Sequence, residues 1–575
     1  MSPSHVTMPL LDILLIHPPS IHDFRERAVH YGPISDVIPS YPIFDMYPIG
    51  YISILSYLTR HGYRCGLLNL ASLMLMRRNL RVEALLEKAR VRIFGLDLHW
   101  LVSAQGAVEV ARILKRLHPD TPIVTGGLSA TYYHREIMGT HPEIDFLVRG
   151  DTSERSLLKL VQHVVDRRGG LEEIPNLVWR DGSRIRINPQ ELAPANLDEF
   201  QVDYGVVFRR AASSLDPLGF LPYADFPKAP AAGILLYKGC PMNCLACGGS
   251  RYAYAHACGR ACLGVKSPET ILAEIASVLE YLRIPIFLVG DPQFLGRRWL
   301  EAFVGAARTS HIDASLYAEF FLPPPRACLG ALLRLGEGDL SLQISPDSHE
   351  ERIRRAYGRP YDNRTLERFV DTVDASSARK LDVYFMTGLP GQTLSSARES
   401  ALCADALMRR SSKVDAFMSP LAPFVDPGSV AFERAASQGY HLFAKTFEEH
   451  RRLMDRATNW KEMLNYETAW MTRDDIVRST YESSRLLLQV KARRHLISET
   501  QLRETLDKID AAEAEMRGSG WVSKWEIVPS ATLYPTTQLL RSFTLRASLG
   551  LLRAFKEERG LRRAQRRKGA LAFSS

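Results

Sequence analysis

Twice along this chain, short runs rich in Leu, Ile and Val alternate with segments of helical period, and no other feature restricts the fold as much. A strand that is apolar throughout has to be covered on both faces, which a parallel sheet flanked by helices provides. In the N-terminal third the predicted strands are 12–17, 64–70, 91–96, 122–125 and 146–148, with helices near 49–61 and 103–118. The rhythm resumes with an apolar strand at 231–237, a helix near 267–283, a strand at 286–289 and a helix near 297–309. Strands at 316–320 and 340–344, a helix near 364–378 and a strand at 382–386 complete it. The first series predicts a doubly wound, Rossmann-like α/β domain and the second a partial (β/α)6 barrel of TIM type.

A length of 575 residues is too great for one ordinary domain and suggests three to four units. The expected division is a doubly wound domain over 1–170, a hinge and linker over 171–230, a barrel over 231–430 and a helical C-terminal domain over 431–575. The hinge opens with residues 174–183, read as strand, tight turn and strand through Asp181-Gly182. Pro217, Pro222, Pro227 and Pro230 then mark the linker. Beyond about Ser429, Glu, Arg, Leu and Ala dominate; Tyr466 and Trp470 stand four apart, as on one helix face, and 499–518 reads as a charged helix.

Directly after the strand at 231–237 comes Gly239-Cys240-Pro241-Met242-Asn243-Cys244-Leu245-Ala246-Cys247. Cys240, Cys244 and Cys247 supply three thiolates, which suits a four-iron cluster with one iron left open for chemistry. Zinc is the rival reading, because Cys258 and Cys262 lie close enough in sequence to complete a closed four-ligand site. A zinc-stabilised scaffold or binding protein is therefore the alternative of a different class. Disulfides fit poorly with eight cysteines in so long a chain and no export leader at Met1–Leu10. Cys65, Cys328 and Cys403 read as isolated packing residues.

No apolar run reaches about 18 residues, so no membrane span is expected, and a cytoplasmic location suits an oxygen-sensitive cluster. The net charge of +9 is concentrated in residues 553–568. Without interleaved aromatics that run reads as a solvated helix end or tail, and nucleic acid is an unlikely partner.

The cysteine spacing resembles the radical S-adenosylmethionine (SAM) superfamily. The N-terminal third resembles the cobalamin-binding domain that precedes the barrel in one branch of it. The residues carrying that likeness are Ile16-His17-Pro18-Pro19-Ser20, Tyr47-Pro48-Ile49-Gly50-Tyr51, His61-Gly62-Tyr63, Gly126-Gly127-Leu128-Ser129-Ala130-Thr131 and Val148-Arg149-Gly150-Asp151. The resemblance implies a four-iron cluster on Cys240, Cys244 and Cys247, and cobalamin beside Pro18, His99, Gly126, Gly127, Ser129 and Gly150. The Asp-x-His-x-x-Gly lower-ligand motif is missing; Asp97-Leu98-His99 has a similar look but comes after the third strand and lacks the glycine.

For SAM the resemblance implies contacts at strand ends: Gly290 and Asp291 toward its amino group, Glu319, Gln343 and Ser345 on the next two strands, and Gly388 and Leu389 near adenine and ribose. Asp291 is the best carboxylate candidate for that amino group, with a helix N-cap before Pro292 as its alternative reading. Ala246 departs from the family, in which an aromatic often precedes the third cysteine. The resemblance thus implies a cobalamin-dependent radical SAM enzyme that cleaves SAM to a 5′-deoxyadenosyl radical and transfers a methyl group to an unactivated carbon. Rearrangement or ring formation is the alternative within the superfamily. The resemblance also implies a flavodoxin- or ferredoxin-like electron donor and a small-molecule or peptide substrate.

Overall fold

The computed structural model describes residues 10–26, 43–77, 79–211, 216–310, 312–335, 339–421 and 424–516. The basic run at 553–568 lies outside them, as do the last two residues of the expected helix at 499–518, which is present as Glu499–Met516.

Seven strands form the first sheet: β1 (Ile13–His17), β2 (Cys65–Asn69), β3 (Phe94–Asp97), β4 (Ile123–Gly126), β5 (Phe146–Val148), β6 (Leu177–Asp181) and β7 (Arg184–Ile187), in the order β2-β1-β3-β4-β5-β6-β7. The first five are parallel, and every residue of β1 and β2 is buried, as their unbroken apolar sequence requires. β3 begins three residues later than expected, because Val91 makes only an isolated bridge to Leu11. The predicted turn at Asp181-Gly182 is present with Gly182 at φ +59°. However, its two strands are not a hinge: β6 pairs antiparallel with β5, Phe146 opposite Trp179, and β7 forms the sheet edge.

The second sheet is the expected six-stranded partial barrel, all parallel, in the order β15-β14-β13-β12-β11-β8. Its strands are β8 (Ala232–Leu235), β11 (Ile286–Val289), β12 (Leu316–Phe320), β13 (Leu340–Asp347), β14 (Lys380–Thr387) and β15 (Val414–Pro420). β15 escaped the sequence pattern because Asp415 and Ser419 interrupt its apolar run. The strand expected at 231–237 breaks after Leu235; Tyr237–Lys238 (β9) instead pairs antiparallel with Gly264–Val265 (β10), carrying the chain off the barrel into the cysteine loop.

The C-terminal segment is helical only in part. Tyr440–Leu442 (β16) and Tyr466–Thr468 (β17) pair antiparallel, so Tyr466 and Trp470 do not share a helix: Tyr466 is buried in a strand and Trp470 is exposed in the following turn. Two cores result. One joins a face of the first sheet to the barrel; the other joins its opposite face to Leu245 and Ala246 of the cysteine loop and to Phe424, Tyr440, Phe447 and Tyr481.

Candidate functional site at the facing strand ends

The cysteine loop runs from Gly239 to Ser250, whose hydroxyl caps the helix Arg251–Ala257 by accepting from Ala253 N–H at 3.3 Å. Cys240, Cys244 and Cys247 are unpaired thiols that act electrostatically on one another. Burial pushes the Cys244 thiol up to about 11 and raises those of Cys240 and Cys247. Opposing this are backbone donors, Met242 N–H to Cys240 and Gly249 N–H to Cys247 Sγ at 3.3 Å, together with the Arg359 cation beside Cys240 and Cys244. Three thiols, one buried and two half-buried, with N–H donors and a nearby cation fit the thiolate set of a four-iron cluster, whose properties such donors tune. Cys258 lies elsewhere, buried at a helix C-cap beside Asp151, Arg260 and Lys238, and Cys262 is exposed. Among the described residues no three His, Cys, Asp or Glu side chains are placed to hold one metal ion.

Two neighbours clamp this loop. On one side, Leu245 N–H donates to Tyr357 O at 2.8 Å, and a Cβ on Gly358 would come within 2.9 Å of Cys244 Cα. On the other, the turn after β15 closes over it: Asp426 N–H donates to Ala246 O at 3.2 Å, Ala431 N–H to Leu245 O at 2.9 Å, and Gly248 N–H to Asp426 Oδ2 at 2.9 Å. Ala246, the position at which the family often has an aromatic, is thus buried under a covering segment. Burial pushes the Asp426 carboxyl up to about 6, with Gly248 N–H pulling the other way. Asp426 was not foreseen; its signal, an acidic turn Asp426-Pro427-Gly428 after a strand, depended on recognising β15.

Gly290, Glu319 and Gln343 come together beside Cys240. Glu319 accepts from Gly290 N–H at 2.5 Å and from Gln343 Nε2 at 3.2 Å, and burial raises its carboxyl. Tyr237 packs on Gly290, donates to Asp291 O at 3.3 Å and feels the charge of Cys240. The Asp291 side chain takes the N-cap role: its Oδ1 accepts from Gln293 N–H at 3.0 Å, and its Oδ2 from Gln293 Nε2 at 2.7 Å and Phe321 N–H at 2.8 Å. Burial pushes that carboxyl up to about 7. Ser345 lies half-buried where β13 bulges. Gly388, at φ +88°, and Leu389 both donate N–H to Gln392 Oε1, at 2.9 and 3.3 Å. Leu389 is buried, and the Tyr466 ring covers Gly388.

At the carboxyl edge of the first sheet, His99, Gly126, Gly127, Ser129 and Gly150 share one cluster of loops. The Gly127 backbone, at φ +115°, lies against that of His99 so closely that any side chain would overlap it. Ser129 donates N–H and Oγ–H to His99 O at 3.2 and 3.0 Å, so its hydroxyl is a strut. Thr131 Oγ1 accepts from Gly150 N–H at 2.9 Å. Pro18 is buried beneath, and His17 stands between Asp97 Oδ2 and Phe44 O, 2.8 Å from each. Burial holds the His99 imidazole below its ordinary range, in the neutral form that can ligate metals. Gly150, at φ +94°, has open space where a side chain would be, which lets a ligand approach the backbone. The open backbone at Gly150 and the half-buried His99 and Gly126 are the parts of this edge that a ligand such as cobalamin can reach, whereas Gly127, Ser129 and Pro18 are taken up by packing within the fold.

The two strand-end regions face each other. Lys238, two residues before Cys240, reaches Glu154 Oε1 at 3.3 Å and adds its charge to the field at His99. Arg260 pairs with Asp151, donates from Nη2 to Thr152 Oγ1 at 3.2 Å and packs its side chain against Gly239.

Comparison with known families agrees with this geometry. The B12 binding domain model matches residues 41–156 and the Radical SAM superfamily model residues 234–403. The chain is a radical SAM protein with a B12-binding domain. The two domains imply a four-iron cluster, SAM and cobalamin as cofactors. Its fold is similar to that of TsrM from Kitasatospora setae, a radical SAM methyltransferase seen with cobalamin and a [4Fe-4S] cluster; TM-score is 0.56 at 15% identity, over 83% of this chain and 89% of that one. It is similar also to OxsB, a cobalamin-dependent SAM radical enzyme seen with aqua-cobalamin and SAM; TM-score is 0.53 at 12% identity, over 96% and 84%.

Two curated relatives match over shorter lengths. An anaerobic magnesium-protoporphyrin IX monomethyl ester cyclase of Synechocystis sp. is 27% identical over 24% of each chain. An uncharacterized methyltransferase of Pyrococcus horikoshii is 29% identical over 25% of this chain and 28% of its own. This radical SAM protein therefore spans about a quarter of the length of the curated relatives it matches. No helix among the described residues is long and apolar enough to cross a membrane.

Proposed function

We propose that this enzyme transfers a methyl group to an unactivated carbon of a small-molecule or peptide substrate. The observation that carries the reading is the apposition of the two strand-end regions, Lys238 and Arg260 tying the cysteine loop to Glu154 and Asp151 of the cobalamin-binding domain. Two cofactors held on facing edges can act on one substrate between them. When bound, the cluster and SAM supply a one-electron route to a substrate radical, and cobalamin supplies the methyl group.

The chain's own residues hold and shield these groups. Cys240, Cys244 and Cys247 present the thiolates, while Gly290, Glu319, Gln343 and Ser345 line the SAM side. Asp291 and Leu389 act by fixing the turns that carry Gly290 and Gly388. His99, Gly126 and Gly150 border cobalamin. The turn at Asp426 covers one side of the cysteine loop, and the phenol end of Tyr466 lies against Gly388. A flavodoxin- or ferredoxin-like donor supplies the electron, and a cytoplasmic setting keeps the cluster reduced.

Similarity to the Synechocystis cyclase favours a second reading, ring formation without methyl transfer. Anaerobic reconstitution followed by iron and cobalt analysis and incubation with methyl-labelled SAM separates the two. S-adenosylhomocysteine together with 5′-deoxyadenosine supports methyl transfer, 5′-deoxyadenosine alone supports ring formation, and neither product overturns both. Replacing Cys240, Cys244 and Cys247 with alanine should abolish iron uptake and SAM cleavage while cobalt uptake persists.

A further inference from the structure

We propose that Arg359 is a positioning residue for the cluster, a buried cation that raises its reduction potential and so sets how readily the external donor reduces it. The inference rests on the assignment of Cys240, Cys244 and Cys247 as cluster ligands.

Arg359 comes directly after Gly358, at φ +124°, in the turn beyond the helix Glu351–Tyr357, and that turn carries the Tyr357 carbonyl bonded to Leu245 N–H. The glycine is what lets the turn touch the Cys244 backbone, and the next residue brings a positive charge close enough to be felt at Cys240 and Cys244. Its Nε donates to Asp347 Oδ2 at 3.0 Å, and its plane lies over the Phe321 ring, 5.0 Å from the centroid. Its Nη1 is buried and has no hydrogen-bond partner among the described residues. A buried guanidinium donor without an acceptor is costly to keep, so its retention calls for a partner at the site. The negative groups within its field are Cys240, Cys244, Glu319 and Asp347.

The holding device is built with some strain. Asp347 sits at φ +66° in a β-bulge that breaks the register between β13 and β14 after Ile344, which turns its carboxylate under Arg359. Burial alone would draw the arginine's pKa down; the Asp347 carboxylate and then Cys244 push it above its ordinary value, so the cation persists.

The electrostatic consequence has a definite sign. A four-iron cluster on three thiolates is negative, and one-electron reduction by the external donor adds a further negative charge in a poorly screened pocket. A fixed cation nearby stabilises the reduced form more than the oxidised one. Removing it lowers the midpoint potential.

The test uses the full chain, reconstituted anaerobically, as wild type, R359K and R359M, with iron content and an EPR-monitored redox titration as readouts. R359M should move the midpoint negative enough to cut the reduced fraction at a fixed donor potential about tenfold, which is about 59 mV for one electron. R359K, which keeps the charge but not the fork, should recover most of that shift. If R359M fails to fold, R359K decides: a near-native midpoint supports the role and a midpoint displaced by the full tenfold sinks it. Iron-loaded variants whose midpoints stay at the wild-type value, with only the KM for SAM raised, would place the guanidinium on SAM and end this proposal. A wild-type chain that takes up no iron overturns the cluster assignment itself, and the role with it.

Discussion

Ala246 is small because the turn after β15 lies on it, and that contact makes the loop's dependence on its neighbours measurable. A246F would force a ring into a closed space; overpacking of this kind typically costs about 1–3 kcal/mol, and the expected outcome is a lower thermal midpoint with reduced iron uptake. Gly358→Ala should behave similarly from the opposite side, since φ +124° is poorly tolerated by any side chain and the added Cβ meets Cys244 Cα at 2.9 Å. Iron per chain after reconstitution, measured beside far-UV circular dichroism, checks both. The cysteines were legible because their ligand spacing is contained in eight residues, from Cys240 to Cys247. Asp426 and Arg359 were not, because their roles arise from contacts with segments more than a hundred residues away. Of the two readings of Asp291, the N-cap is the one its hydrogen bonds show.

Among the elements, the strands of the two parallel sheets could be read because burial on both faces leaves a continuous apolar run. The pair β16 and β17 could not, since three-residue strands separated by over twenty residues leave no periodicity and their register depends on surrounding packing. The same segment carries a pH-sensitive anchor. His450 Nδ1 donates to Thr446 O at 2.8 Å, and its Nε2 accepts from Asn465 Nδ2 at 3.0 Å; Asn465 in turn bonds Val425, next to Asp426. Burial pulls the His450 imidazole down to about 4 from 6.5, so between those values the unfolded chain binds the extra proton and stability rises with pH. Stability from this group is complete above pH 6.5 and falls by about 1.4 kcal/mol per unit below it, about 3 kcal/mol in all. In H450Q this part of the pH profile should flatten, as chemical denaturation from pH 4 to 7 would read. A second anchor is Glu136, which accepts Phe447 and Glu448 N–H at 2.9 Å each and caps the helix Phe447–Arg456 from another domain. E136A should cost about 1 kcal/mol, visible in the same denaturation curves.

Across the whole molecule, the three regions are joined by shared cores and by buried ion pairs, of which Arg260–Asp151 is the most enclosed. Removing one partner of such a pair leaves an uncompensated buried charge and typically costs about 3–5 kcal/mol. R260M should therefore destabilise the chain far more than R260M combined with D151N, and calorimetry should show whether the cobalamin-binding domain then unfolds separately. The boundaries expected from sequence miss this joining, because linkers and composition mark where the chain runs and not what its faces touch. The turn over Ala246 has a consequence for the order of synthesis. The cysteine loop emerges from the ribosome well before Phe424–Ala431 can close on it, so a nascent chain ending ahead of that turn presents its thiols on an uncovered surface. A cluster delivered before that turn closes would meet the loop open on this side, and one delivered afterwards would have to pass the covering segment.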